Sequence, residues 1–269
     1  MTTDHSARDR SEAGMTSAPL LRVRHVSKNF GAVQALVDVD LDVHAHEVVA
    51  IVGDNAAGKS TLARVISGSY QPDGGSVEIA GENVLPLTTK SARTHGIATV
   101  FQDLALADNL DVTANIFLGQ ELPSTRRLDH GLLDEQRMES LARDYLRQLN
   151  SRIASPRTPL AQLSAGQRQC VAIARTLVGQ PRIIVLDEPT SSLSVTQTAE
   201  VLNHISRLRS MGLGVVLISH SLADVRSVAD RIEVLRHGRN NGSFSATETG
   251  YEDIIAAITG APSAHRIPR

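Results

Sequence analysis

The apolar run Val48-Val49-Ala50-Ile51-Val52 is followed without a break by Gly53-Asp54-Asn55-Ala56-Ala57-Gly58-Lys59-Ser60-Thr61, which fits the pattern G-x-x-x-x-G-K-[ST]. A buried strand that ends in such a loop and continues as a helix, expected over Lys59 to Ile66, leaves first-turn amides without intrahelical partners. The positive end of the helix dipole points at the same place. The segment is thereby committed to an α/β layout, and its loop becomes a cradle for phosphate groups. Lys59 is expected to reach the β- and γ-phosphates of a nucleoside triphosphate as a point charge, and the Ser60 hydroxyl to complete the coordination of Mg²⁺. A glycine-rich turn with a chance Lys-Ser is the alternative for this motif taken alone.

The surrounding pattern places the loop in a layered domain. Glu47 to Val52, Ile97 to Phe101, Arg182 to Leu186 and Gly214 to Ser219 are short and continuously apolar, as strands buried on both faces of a parallel sheet are. Val37, Val39, Leu41 and Val43 instead alternate with Asp38, Asp40 and Asp42, the period of an antiparallel strand with one solvated face. Leu133, Met138, Leu141, Tyr145, Leu146 and Leu149 recur at helical spacing between Pro123 and the pair Pro156 and Pro159, so residues 103–163 read as a helical insertion. A helix is predicted over Ser221 to Ala229, with short strands at Arg231 to Arg236 and Gly242 to Phe244. Residues 1–19 and 261–269 are polar and aperiodic and read as flexible tails, leaving 20–260 as the folded domain.

Ile183-Ile184-Val185-Leu186-Asp187-Glu188 carries two carboxylates off the end of an apolar strand, at the sheet edge where the phosphate loop also opens. There the first acid suits Mg²⁺ and the second suits the attacking water, which makes Glu188 the candidate general base. A solvated acidic pair is the alternative if these residues stood alone. A net charge of -2 gives no electrostatic footprint for nucleic acid, so none is expected as a partner. Cys170 is the single cysteine, so no intrachain disulfide forms, and it reads as a packing residue without chemistry. No stretch approaches the ~18 apolar residues of a membrane helix, and the N-terminus lacks the apolar core of a signal peptide. Cytoplasmic residence is the expectation, with any service to a membrane being peripheral.

Leu163-Ser164-Ala165-Gly166-Gln167 opens another helix with Ser164 as its N-cap. Together with Gly53 to Thr61 and Ile183 to Glu188, and in that family's order and spacing, it resembles the signature L-S-G-G-Q of ATP-binding-cassette ATPases. The resemblance covers about Leu20 to Gly260. It implies an α/β fold: a P-loop NTPase core of the RecA-like kind with a mainly parallel sheet, an antiparallel β subdomain and an inserted α-helical subdomain. It also implies ATP and Mg²⁺ as cofactors. ATP would be bound by Phe30, stacked on adenine, and by Gly53, Asp54, Asn55, Ala56, Ala57, Gly58, Lys59, Ser60 and Thr61. Ser60, Gln102 and Asp187 would face the metal, and Glu188, His220 and Gln102 would serve catalysis. Ser164, Ala165, Gly166 and Gln167 would contact ATP in trans, across a head-to-tail dimer. Three positions depart from the family pattern: Ala56 and Ala165 replace glycines, and Ser194 stands where aspartate is common. A left-handed backbone at either alanine would cost about 1–2 kcal/mol.

Only 49 residues follow His220, too few for the regulatory β-barrel of maltose-type importer ATPases, and a single cassette is present. The stretches Leu104 to Val112, Asn115 to Glu121 and Ser194 to Val201 resemble monosaccharide importers of the ribose, xylose and fructose kind. The partners this implies are a second cassette, transmembrane permease subunits and, indirectly, an extracytoplasmic solute-binding protein, with the chain at the cytoplasmic face of the membrane. Import of another small solute, a soluble cassette ATPase acting on nucleic acid or ribosomes, and a non-hydrolysing nucleotide sensor are the competing readings. The sequence does not name the solute.

Overall fold

The computed structural model of the chain describes residues 18–124 and 132–261. The expected tails fall outside the described residues apart from residues 18, 19 and 261. Strands β1 (Leu21–Phe30) and β2 (Val33–Val43) form an antiparallel hairpin that turns through Gly31, and β3 (Val48–Val52) follows with all five residues buried. The glycine loop leads into α1 (Lys59–Ile66). Next, β4 (Gly74–Ile79) and the two-residue β5 (Glu82–Asn83) return to the first sheet, giving the antiparallel order β2-β1-β4-β5. A capping box between Thr88 and Ser91 starts α2 (Thr89–Thr94), and β6 (Ile97–Val100) enters the second sheet.

Helices α3 (Val112–Phe117) and α4 (Glu135–Gln148), with a 3-10 turn at Leu160–Gln162, occupy the connection from β6 to α5 (Ala165–Leu177). The remainder alternates: β7 (Ile183–Asp187), α6 (Val195–Ser210), β8 (Gly214–Ile218), α7 (Leu222–Val228), β9 (Arg231–Arg236), β10 (Arg239–Ser245) and α8 (Tyr251–Thr259).

The second sheet has the order β10-β9-β3-β8-β7-β6 and is parallel except for the β9–β10 hairpin. Alternation along its strands divides the core in two. Val48, Ala50, Ile184, Leu186, Val215 and Leu217 pack under α3 to α8, whereas Val49, Ile51, Ile183, Val185 and Val216 face α1, α2 and the antiparallel sheet. The sheets are joined where the Val37 N–H donates to the Gly238 carbonyl at 2.7 Å and the Asp40 N–H donates to Asn240 Oδ1 at 2.8 Å.

Two expectations need correction. The alternation placed Val37 on the buried face of β2, but Leu36 is buried and Val37 is not. Asp38 sits at φ 57° and the register with β1 slips there, so a bulge reverses the parity below it. Leu133 was assigned to the helical stripe, yet it is 49% exposed and pairs with Pro123 in an isolated bridge. Helix α4 begins two residues later, where the Asp134 side chain accepts the Arg137 N–H. Met138, Leu146 and Leu149 are buried as the spacing predicted.

Candidate functional site

The parallel strands bring the chemistry to one edge. Val100, Leu186 and Leu217 stand in register, as do Asp187, Ile218 and Ile51, so the segments after β3, β6, β7 and β8 leave the sheet side by side. After β3 the loop is confined by its neighbours. A Cβ on Gly53 would lie 2.1 Å from the Leu235 carbonyl oxygen, and one on Gly58, at φ 101°, would lie 2.6 Å from that of Ala35. Only glycine fits at either position. Lys59 is 8% exposed, and its Nζ donates to the carbonyls of Gly53 at 2.9 Å and Asp54 at 3.0 Å, which holds the ammonium inside the loop. Gly58 caps α1 without a side-chain hydrogen bond.

Of the two alanines that replace family glycines, Ala56 adopts φ 61°. Ala165 is the first residue of α5 and carries no such strain. Ser194, the third departure, caps α6 through a reciprocal box with Gln197.

Asp187 ends β7 at 5% exposure, and its Oδ1 accepts from Ser60 Oγ at 3.3 Å. Burial holds its carboxyl above the ordinary range, opposed by the Ser60 hydrogen bond. Glu188 then turns at φ 52° and donates its N–H to the Ile218 carbonyl at 3.0 Å. That turn sends its carboxylate along the sheet edge to the second residue after β8, where Oε2 accepts from His220 Nδ1 at 2.7 Å. The Glu188 side chain is 15% exposed and that of His220 66%, so the acid is sheltered while the imidazole faces the opening.

A cleft of about 530 Å³ opens between these groups. Phe30, Val33, Gln34, Ala35, Asn55 to Thr61, Gln102, Glu188, Ser191 and His220 line it. Phe30, the residues from Asn55 to Thr61, Gln102, Glu188 and His220 are thus brought together. Gly53 and Asp54 form the root of the loop, and Asp187 lies beneath Ser60. Phe30 is 43% exposed, with the Tyr70 ring edge-on at 5.3 Å and Lys28 Nζ 5.6 Å from its centroid, so an aromatic surface is presented in the lining of the cleft.

The signature residues are elsewhere. Ser164 and Gln167 close a capping box on α5, and Gly166 and Gln167 line a separate small polar pocket with Cys170 and Glu200. Burial raises the Cys170 thiol to about 11, which leaves it protonated and inert, in keeping with a packing role. Val33, Gln34, Ala35 and Ser191 were not anticipated, because the first three belong to a hairpin with no motif and the last is a serine among several.

Ser60, Asp187 and Gln102 offer hard oxygen donors beside the loop, the donor type Mg²⁺ selects. Among the described residues no group of three or more His, Cys, Asp or Glu could hold a metal unaided. A Mg²⁺ ion held here would need phosphate and water oxygens to complete its shell. No helix among the described residues is long and apolar enough to cross a membrane.

The ABC transporter family profile matches residues 36–191. A xylose/arabinose import ATP-binding protein of Sulfolobus acidocaldarius is 40% identical over 240 residues, covering 89% of this chain and 94% of that protein. A ribose import ATP-binding protein of Rubrobacter xylanophilus is 38% identical over 251 residues. That match takes in 93% of this chain but spans only about half, 49%, of the relative's length. Among solved structures, the dimeric post-hydrolysis state of an ATP-binding cassette bound to ADP and phosphate superposes with a TM-score of 0.71 at 26% identity, over 85% of this chain and 100% of that one. Fold, ordered motifs and the two close relatives agree: the chain belongs to the ABC transporter family, and its fold is that of an ATP-binding cassette.

Proposed function

We propose that the chain is the ATP-binding and ATP-hydrolysing subunit that energises a membrane importer, with a monosaccharide as the cargo. The observation that carries the reading is the pairing of Glu188 with His220 at 2.7 Å in the same cleft as Lys59 and Ser60. Lys59 exchanges its two carbonyl partners for phosphate oxygens, and the uncapped amides at the start of α1 receive the same anion. Ser60, Gln102 and Asp187 would hold Mg²⁺, which would supply positive charge against the phosphates. Glu188 takes a proton from water as the water oxygen bonds to the γ-phosphorus. The bond to the β–γ bridging oxygen breaks, leaving ADP and phosphate. His220, tied to Glu188 through Nδ1, keeps Nε2 as its remaining polar atom for the phosphate side, and Phe30 offers its ring to the base.

Because Ser164 to Gln167 do not line their own chain's cleft, a second cassette supplies them in trans in the working complex. Two relatives named as sugar import proteins support the cargo class. The permease subunits, a solute-binding protein and peripheral residence at the cytoplasmic membrane face follow from that reading, as does a coupling role for Gln102 and the 103–163 segment. The test is ATPase activity in vesicles containing the membrane subunits, across a panel of monosaccharide-loaded binding proteins. Stimulation by one sugar, reduced more than the basal rate by Gln102→Ala, is expected. Indifference to every sugar together with stimulation by ribosomes or DNA would overturn it.

A further inference from the structure

The segments after β7 and β8 are bonded to each other in three places. Two have been described: the Glu188–His220 contact and the Glu188 N–H on the Ile218 carbonyl. The third lies outside the cleft lining, where Thr190 Oγ1 donates to Asp224 Oδ2 at 2.7 Å and both residues are half-buried. Each end of this bond is itself fixed. The Asp224 N–H donates to Ser221 Oγ at 3.3 Å, and the Ser221 N–H to Ser219 Oγ at 3.0 Å, which shapes the turn carrying His220. On the other segment the Ser191 N–H, at 3.2 Å, and Oγ, at 2.9 Å, both donate to the Glu188 carbonyl. Glu188, Thr190, Asp224, Ser221 and His220 therefore lie on one closed ring of chain and hydrogen bonds.

Such a ring answers a physical need. Glu188 occupies left-handed backbone, a conformation that persists in a non-glycine residue only when its surroundings over-determine it. Its carboxylate and the His220 imidazole hang from different strands, so their separation depends on how the two segments are tied. A small relative displacement would break the contact without disturbing the phosphate loop.

We propose that Thr190 and Asp224 are positioning residues for hydrolysis, bracing Glu188 and His220 at hydrogen-bond distance without touching nucleotide; this rests on the hydrolytic reading of the cleft. Thr190→Val removes the hydroxyl at nearly constant volume, and Thr190→Ser restores it. In the full chain, Thr190→Val lowers kcat by about tenfold or more, the loss of one hydrogen bond to a charged group, while KM and ATP affinity stay within about twofold. Thr190→Ser recovers kcat. The imidazole nitrogen resonances of His220, read by NMR without nucleotide, move in Thr190→Val and return in Thr190→Ser. Asp224→Ala repeats the loss, and the double variant loses no more than either single one. Parental kcat with unmoved His220 resonances in Thr190→Val overturns the brace. So does a fall in kcat that is matched by a fall in ATP affinity with the resonances unmoved. If the parental chain releases no phosphate, the hydrolytic reading fails separately, and the His220 resonances alone decide whether the brace exists.

Discussion

Ala56 is the one phosphate-loop residue that carries a Cβ into left-handed backbone. Ala56→Gly is therefore expected to stabilise the chain by up to about 1 kcal/mol, relief of strain partly offset by the greater unfolded-state freedom of glycine. A chemical denaturation midpoint that falls in the variant would show that the loop holds alanine without strain. Asp187 has the opposite character, because its environment disfavours the ionised form. A carboxyl whose folded pKa is raised stabilises the fold below its unfolded pKa, and that contribution is lost as the pH rises through the folded value. At neutral pH the nucleotide-free chain therefore bears a buried charge at a net cost. Asp187→Asn should raise the thermal midpoint at about pH 7, with an advantage that shrinks towards about pH 4, while Mg²⁺-dependent hydrolysis is lost. Melting curves with and without Mg-ATP check both halves. At this scale the sequence was most legible where chemistry fixes spacing, as from Gly53 to Ser60. It was silent on Thr190 and Asp224, which stand 34 positions apart and meet only because β7 and β8 are neighbours.

Among the elements, the strands buried on both faces were legible because a continuous apolar run has no parity to misjudge. The half-buried strands were not. β2 carries a bulge at Asp38 and β1 another at His25, φ 53°, and each shifts the inward-facing set by one position. β1 itself, LRVRHVSKNF, alternates only up to that bulge, which hid it as a strand. The helical insertion was legible from its stripe, yet its tie to the rest of the fold was not. His204 of α6 is buried and donates from Nδ1 to the Leu149 carbonyl at the end of α4, at 2.7 Å. Burial depresses this histidine below its ordinary value of 6.5, with the Leu149 hydrogen bond opposing. A depressed histidine contributes stability that is full above its unfolded pKa and is lost as the pH falls through the folded one. The chain should thus melt progressively lower from about pH 7 to about pH 5.5, and His204→Gln, which keeps a donor but cannot titrate, should flatten that slope. An unchanged slope in the variant would assign the acid sensitivity to other groups.

At the scale of the whole molecule, the parallel sheet does for the site what no single motif could. It sets four strand ends on one edge, so that residues from Phe30 to His220 share a cleft. The order of the motifs announced that convergence, and the family resemblance assigned Ser164 to Gln167 to a contact in trans; the cleft of this chain is lined without them. If a second copy completes the site, Mg-ATP should turn the Glu188→Gln chain from monomer to dimer by mass action, and Ser164→Arg should block it. Light scattering that finds a monomer at saturating Mg-ATP would refute the composite site. The account's central claim is that Glu188 activates water where Lys59 and Ser60 hold the phosphates. Its most direct test compares ATP affinity and multi-turnover phosphate release in the parental chain and Glu188→Gln. The account predicts matched affinity with release lowered by about a hundredfold or more, the range for loss of a general base. Phosphate release by Glu188→Gln at close to the parental rate would contradict it.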